Sequence, residues 1–322
     1  MKILVTGSAG FIGFWLSKAL LEKGFLVYGL DNLNEYYDVK LKFNRLNNLK
    51  NYANFFFQKI DLSDLASLDN LFRENNFNTI INIAARAGVR YSLLNPYIYY
   101  ETNVLGTLNL LNLSKKYNTE QFIQASTSSV YSYVKPPFSE NDKTDKPISP
   151  YAATKKSAEL LCFTYHHLHK LNITILRFFT VYGPSGRPDM SIFNFIEHIK
   201  NNREITIFGD GTQKRDFTYI EDIIDGILNS LNLTGFNIIN LGNNKPKELN
   251  YIITLIENSL NKKAKIKYKP FNNADMFETW ADIELAKKIL NWNPKTSIEK
   301  GIEKTATWHM ENDDFLRKLT LP

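Results

Sequence analysis

Tyr151 and Lys155 lie four residues apart in the run Ser149-Pro150-Tyr151-Ala152-Ala153-Thr154-Lys155. Ser149 is a good N-cap and Pro150 suits the first helical position, so the run predicts a helix starting here. On it the phenol and the ammonium share one face. A free tyrosine titrates at roughly 10 and is a poor base at neutral pH. A neighbouring cation stabilises its phenolate, which lets the pair take a proton from a hydroxyl group and give it back. Upstream, Ala125-Ser126-Thr127-Ser128-Ser129-Val130-Tyr131 offers hydroxyls that can polarise the same oxygen. Without context, a YxxxK pair is a packed tyrosine beside a solvated lysine, and a Ser/Thr cluster after a strand is a turn.

The N-terminus supplies the context. The run Gly7-Ser8-Ala9-Gly10-Phe11-Ile12-Gly13 follows an apolar stretch and leads into a helical pattern through Trp15, Leu16, Ala19 and Leu20. Glycines between strand and helix allow a tight turn, close approach to a pyrophosphate at the helix N-terminus, and close packing of helix on strand. The spacing is GxxGxxG, not GxGxxG. Asp31 ends the next apolar run, where a carboxylate accepts both ribose hydroxyls of a dinucleotide and repels a 2′-phosphate. That favours NAD over NADP. Asp61, after the third apolar run, either takes the adenine amino group or caps a helix. An oxidised nicotinamide would add a second positive charge near Tyr151 and accept hydride from the carbon whose hydroxyl loses its proton.

These groups need a scaffold that brings them to one edge. Apolar runs at Ile3–Thr6, Leu26–Leu30, Phe55–Ile60, Thr79–Ile83, Phe122–Ser126 and Ile173–Phe178 alternate with helical stretches, the signature of βαβ units and a buried parallel sheet. The expected fold is α/β, a Rossmann-type doubly wound sheet with a smaller C-terminal α/β substrate-binding domain. The cofactor-binding domain is expected at residues 1–178, rejoined by about 216–242 with Ile238–Leu241 as a late strand, and residues 179–322 are expected mainly to bind substrate. Neither a repeat nor a heptad seam is present.

Bulk properties narrow the function. With 322 residues, 43% hydrophobic and 22% charged, the chain falls in the ordinary globular range. The net charge of +6 is scattered rather than gathered into an arm, which argues against nucleic acid and suits a small polyanionic substrate. Cys162 is the single cysteine, so no disulfide framework exists, and no His/Cys spacing resembles a metal site. The N-terminal segment reads as a strand and not as an export signal, and no apolar run is long enough to span a membrane. A cytoplasmic setting is expected.

In order along the chain, GxxGxxG, STSSVYS, YAATK and RDFTYIED resemble the extended short-chain dehydrogenase/reductases over nearly the whole length. Within that group DNLNEYYDVKLK, ARAGVRYSLLNP, RFFTVYGPSGRPDM and FETWAD resemble the UDP-glucuronate 4-epimerases. The resemblance implies that NAD stays bound while carbon 4 of the sugar is oxidised, the 4-keto intermediate rotates about its diphosphate linkage, and the opposite face is reduced. It places the catalytic hydroxyl on Thr127, the base on Tyr151 and the lysine on Lys155. Asn32, Leu62, Ala84, Ala85, Asn103, Phe178 and Val181 are implied around the cofactor. Arg187 with Thr180, Ser128 and Ser129 is implied at the sugar carboxylate, and Arg215 and Arg90 at the diphosphate, where guanidinium forks suit phosphate oxygens. Asp275 is implied on the substrate side. A homodimer through the helices near Tyr99–Lys116 and Tyr151–Lys170 is implied too. Arg86 stands where the family often has Gln, Ser132 where Gly is frequent, and Asn273-Ala274-Asp275 where Pro-Gly-Asp is usual.

Three alternatives stay open. A UDP-glucuronate decarboxylase shares the 4-keto intermediate and differs in what holds the carboxylate. A 4-epimerase of neutral UDP-hexoses would leave Arg187 without an anionic partner. A non-enzymatic dinucleotide-binding scaffold commonly lacks the Tyr or the Lys, both present here.

Overall fold

The computed structural model describes residues 1–271 and 276–321. Its centre is a seven-stranded sheet built from β1 (Lys2–Thr6), β2 (Leu26–Asp31), β3 (Phe55–Lys59), β4 (Thr79–Asn82), β5 (Gln121–Thr127), β6 (Asn172–Phe178) and β7 (Phe236–Leu241). The spatial order is β7-β6-β5-β4-β1-β2-β3 and every pairing is parallel. Strands β4 and β5 are buried at every position, as expected of a sheet covered on both faces. The order reverses between β1 and β4, and ligands of open α/β sheets bind outside the strand ends at that switch point.

Helix α1 (Phe11–Glu22) follows β1 and is capped by the backbone of Gly10, with no acidic residue in its first turn. Its positive end is therefore unopposed. Asp38 accepts from Lys40 N and starts α2 (Val39–Leu49); Asp64 accepts from Ser67 N and starts α3 (Leu65–Asn75). A π-helical turn at Tyr100–Leu105 precedes α4 (Gly106–Lys116). The expected helix at Tyr151 is α5 (Pro150–His169), in which Ser149 Oγ accepts from Ala152 N at 3.2 Å and Pro150 lies in the first turn.

Beyond β6 the chain leaves the main sheet. Thr180–Tyr182 pairs in parallel with Phe217–Tyr219, and Glu204–Phe208 with Lys265–Lys269. Of the stretch from 216 to 242, only Phe236–Leu241 joins the main sheet, beside β6. No described helix is long and apolar enough to cross a membrane.

Candidate active site

The C-terminal ends of β1, β2, β4, β5 and β6 open into one cavity of about 370 Å³. At one side is the glycine loop. Gly7 has φ +70°, and a Cβ there would lie 2.9 Å from the Ala84 backbone; a Cβ on Gly13 would lie 2.0 Å from Gly7 O. Only glycine allows the loop to fold this tightly against β4. Gly7, Gly10, Phe11, Ile12 and Gly13 all line the cavity, at the N-terminus of α1. The loop is thus a cradle shaped for a pyrophosphate, and the residues fit a dinucleotide.

Asp31 ends β2 at the same cavity and is buried. Its Oδ1 accepts from Leu33 N at 2.8 Å and lies 3.6 Å from Lys42 Nζ. Lys42, on α2, is buried too; burial lowers its pKa and Asp31 opposes that shift. Sequence reading missed this lysine, although it lies within the singled-out string DNLNEYYDVKLK. Asp61 accepts from Asn32 Nδ2 at 2.6 Å and from Ser63 N and Oγ at 2.9 and 2.8 Å. It does not cap a helix; Asp64 does. Asn32, Leu62, Ala84 and Ala85 complete this wall. Asn103 is absent from it. Its Oδ1 accepts from Arg86 N at 2.8 Å, and its Nδ2 donates to Arg86 O and Thr154 Oγ1, both at 3.0 Å, so it ties the end of β4 to α5.

At the centre, Tyr151 and Lys155 both face the cavity from α5. Burial pushes the Tyr151 phenol up, while its hydrogen bond with Thr127 and the Arg187 charge pull it down. Burial brings Lys155 down to about 8, against the opposing carboxylate of Glu159 one turn further on. Thr127 closes β5; its Oγ1 accepts from Ser129 N at 3.1 Å and so starts the short turn Ser128–Tyr131. Behind them Glu159 accepts from Ser126 Oγ at 2.6 Å and from Arg177 Nε and Nη2 at 2.9 and 2.8 Å. Arg177 Nη1 donates to Tyr131 OH, whose proton goes to Asn240 Oδ1 at 2.7 Å. This buried network clamps α5 to the ends of β5, β6 and β7. It was not foreseen, because its members are far apart in sequence.

Ser128, Ser129, Phe178, Thr180, Val181 and Arg187 line the same cavity. Arg187 is held by Asp189, which also accepts from Tyr36 OH at 3.4 Å. Tyr36 lines the cavity; burial and Asp189 push its phenol up to about 12. Arg90 and Arg215 are outside the cavity lining. Arg90 stacks over Phe208, with 3.9 Å from its guanidinium carbon to the ring centre, and Arg215 Nη1 donates to Lys214 O and Phe277 O. Asp275, like Asn273 and Ala274, falls outside the described residues.

A seven-stranded dinucleotide fold whose switch point holds a glycine cradle and a Tyr/Lys pair defines an NAD-type oxidoreductase or epimerase scaffold. The model of the GDP-mannose 4,6 dehydratase family matches residues 4–305. A UDP-glucuronate 4-epimerase of Thermodesulfobacterium geofontis is 52% identical over 317 residues, covering 98% of each chain. Among solved structures, the Bacillus cereus UDP-glucuronic acid 4-epimerase in complex with UDP-glucuronic acid and NAD superposes with a TM-score of 0.92. It is 36% identical, over 97% of this chain and 99% of that one. The Thermotoga maritima UDP-glucose 4-epimerase with UDP-glucose gives 0.90 at 30% identity, with the same coverage. The chain therefore belongs to the extended short-chain dehydrogenase/reductases, in the nucleotide-sugar branch that includes the UDP-glucuronate 4-epimerases.

Proposed function

We propose that this chain is an isomerase that inverts carbon 4 of UDP-glucuronate to give UDP-galacturonate through a transient 4-keto sugar, with NAD as a recycled cofactor. The observation that carries this reading is that Arg187 lines the same cavity as Tyr151, Thr127 and Lys155. A guanidinium oriented by Asp189 thus lies beside proton-transfer groups. When bound, NAD takes hydride from the sugar carbon and returns it, so the reaction has no net redox change.

The chain's own residues do the rest. Tyr151 takes the proton of the carbon 4 hydroxyl and later gives it back. Thr127 steadies the phenol by a hydrogen bond and the Arg187 charge favours the phenolate; Lys155, one turn further along α5 and lining the same cavity, is the cation that the family resemblance assigns to the same task. Thr180, Ser128, Ser129 and Arg187 hold the sugar carboxylate, and Arg90 and Arg215 meet the diphosphate at the outer end. Gly7 to Gly13 hold the pyrophosphate of the cofactor, Asp31 its adenosine ribose, Asn32, Asp61 and Leu62 its adenine end, and Phe178 and Val181 flank the nicotinamide.

Residues 1–178 with the returning strand β7 form the cofactor-binding part in this reading, and residues 179–322 mainly serve the substrate. Leu105, Leu160, Phe163 and Leu168 expose apolar surface from the π-turn before α4 and from α5, which supports a homodimer through these helices. Cys162 is buried without a partner cysteine, which suits a cytoplasmic setting. The testing experiment incubates purified protein with UDP-glucuronate and follows UDP-galacturonate, UDP-pentose and carbon dioxide together. UDP-galacturonate alone supports the proposal; carbon dioxide with UDP-pentose would make the protein a decarboxylase.

A further inference from the structure

Arg86 follows β4 and stands where the family resemblance implies a Gln. Its main chain is pinned twice by Asn103. Its side chain lines the cavity, yet it makes no hydrogen bond and no ion pair among the described residues, and its Nε is buried without a partner. The two carboxylates that line the cavity are engaged elsewhere: Asp61 by Asn32 and Ser63, Asp31 by Leu33 N and Lys42. A guanidinium whose donor is withdrawn from water costs free energy unless an acceptor arrives with a ligand.

The position of the group indicates which acceptor. Ala84, two residues before it, is the backbone against which Gly7 packs, so the end of β4 abuts the glycine loop. The charge of Arg86 also acts on Lys42 and on Asp61, both of which line the same cavity. A dinucleotide seated at the N-terminus of α1 carries its two negative charges into that space. Phosphate oxygens match a guanidinium fork, and the interaction is charge-assisted.

We propose that Arg86 is a cofactor-binding residue that grips the pyrophosphate from the side opposite α1, adding a cationic clamp that a Gln at this position does not provide. The inference rests on NAD being the resident cofactor. Its function is retention: a dinucleotide that must receive and return the same hydride gains from a site that does not release it between the two half-reactions.

The test measures binding, not turnover. Protein stripped of nucleotide is titrated by calorimetry with NAD, ADP and NADP at two salt concentrations, as the parent and as Arg86→Met, Arg86→Gln and Arg86→Lys. Arg86→Met is expected to weaken NAD and ADP alike by about ten- to a hundredfold. It should also flatten the salt dependence and leave the melting temperature of the stripped protein unchanged. Arg86→Lys should recover most of the affinity and Arg86→Gln little of it. Unchanged NAD and ADP affinities in Arg86→Met would overturn the proposal. So would a loss confined to NADP, which would put the guanidinium at the ribose, or a melting temperature of stripped Arg86→Met below that of the stripped parent, which would make it structural. If the parent itself binds neither NAD nor ADP, the cofactor reading fails and this proposal falls with it, whereas a parent that binds both beside an Arg86→Met variant of equal affinity overturns this proposal alone.

Discussion

Arg187 and Asp189 are joined by two hydrogen bonds, Nε to Oδ1 at 3.1 Å and Nη2 to Oδ2 at 2.5 Å, and each side chain is about one-fifth exposed. The pair fixes the direction of the guanidinium and offsets part of its charge. A sugar carboxylate therefore meets an oriented donor rather than a bare cation.

That orientation matters because a 4-keto uronate is a β-keto acid. Loss of carbon dioxide requires the carboxyl bond to align with the ketone π-system, so a clamp that holds the group out of alignment protects the intermediate. Arg187→Met is expected to raise KM for UDP-glucuronate and to increase the share of 4-keto-pentose per turnover, while sparing weak activity on UDP-glucose. Asp189→Asn, which replaces one acceptor oxygen by an amide facing the guanidinium, should shift both quantities the same way by a smaller factor, about fivefold to tenfold in KM. Product analysis by NMR checks both; unchanged KM and product ratio in Arg187→Met would leave Arg187 as a loop charge.

Tyr151 and Thr127 are hydrogen-bonded, and Tyr151 shares α5 and the cavity lining with Lys155 one turn further on. Tyr151→Phe should remove most turnover and leave NAD content and melting temperature nearly intact. Thr127→Val should cost less, at most on the order of 10² to 10⁴. A larger loss for Thr127→Val than for Tyr151→Phe would reverse the two roles.

The Lys155 ammonium, brought down to about 8 by burial, is charged below that pH and neutral above it. Its support of the phenolate is then present at neutral pH and lost in alkali. The rate profile kcat/KM against pH should show an alkaline limb near 8, and Lys155→Met should lower the plateau and abolish the limb. A profile flat to pH 9.5 in the parent would contradict this assignment.

Asp31 and Lys42 sit 3.6 Å apart at the ribose end of the cofactor cavity. Asp31→Ala should weaken NAD and narrow its preference over NADP. Lys42→Met removes the cation that offsets Asp31 and should widen the preference, because the remaining carboxylate repels a 2′-phosphate more strongly. Fluorescence titration with both dinucleotides measures each ratio.

Away from the site, His309 is fully buried, with Nδ1 2.6 Å from Glu197 Oε1 and Nε2 without a partner. Burial lowers its pKa despite Glu197. The unfolded chain therefore takes up a proton near 6.5 that the folded one refuses. Stability is then complete above that pH and falls as the pH drops through it. Glu197, also lowered by its partners although burial opposes them, adds a loss of the same sign further into acid. Melting temperature should decline from pH 7 to 5, and His309→Gln should have a lower value at pH 7 with a flatter slope.

Much of this was legible because local chemistry dictated it. The alternation of apolar runs gave the parallel strands, and Ser149-Pro150 gave the start of α5. Glycines that admit no Cβ gave the cradle. What could not be read was set by tertiary packing. Lys42 returns to Asp31 only because α2, started by Asp38, turns back over β2. Asn103 resembled a cofactor contact, but the π-turn directs it to the Arg86 backbone and Thr154. Asp189 is two residues from Arg187 and drew no notice, since nothing in the loop sequence says that the two side chains pair.

The central claim is that one proton and one hydride leave and return at carbon 4. UDP-glucuronate is incubated with the purified protein in D₂O, without added NAD, and followed by proton NMR. The account predicts UDP-galacturonate that retains protium at carbon 4 and carbon 5, with no net reduction of NAD and no carbon dioxide. Deuterium at carbon 4 or carbon 5 of the product, or a requirement for stoichiometric NAD, would contradict it.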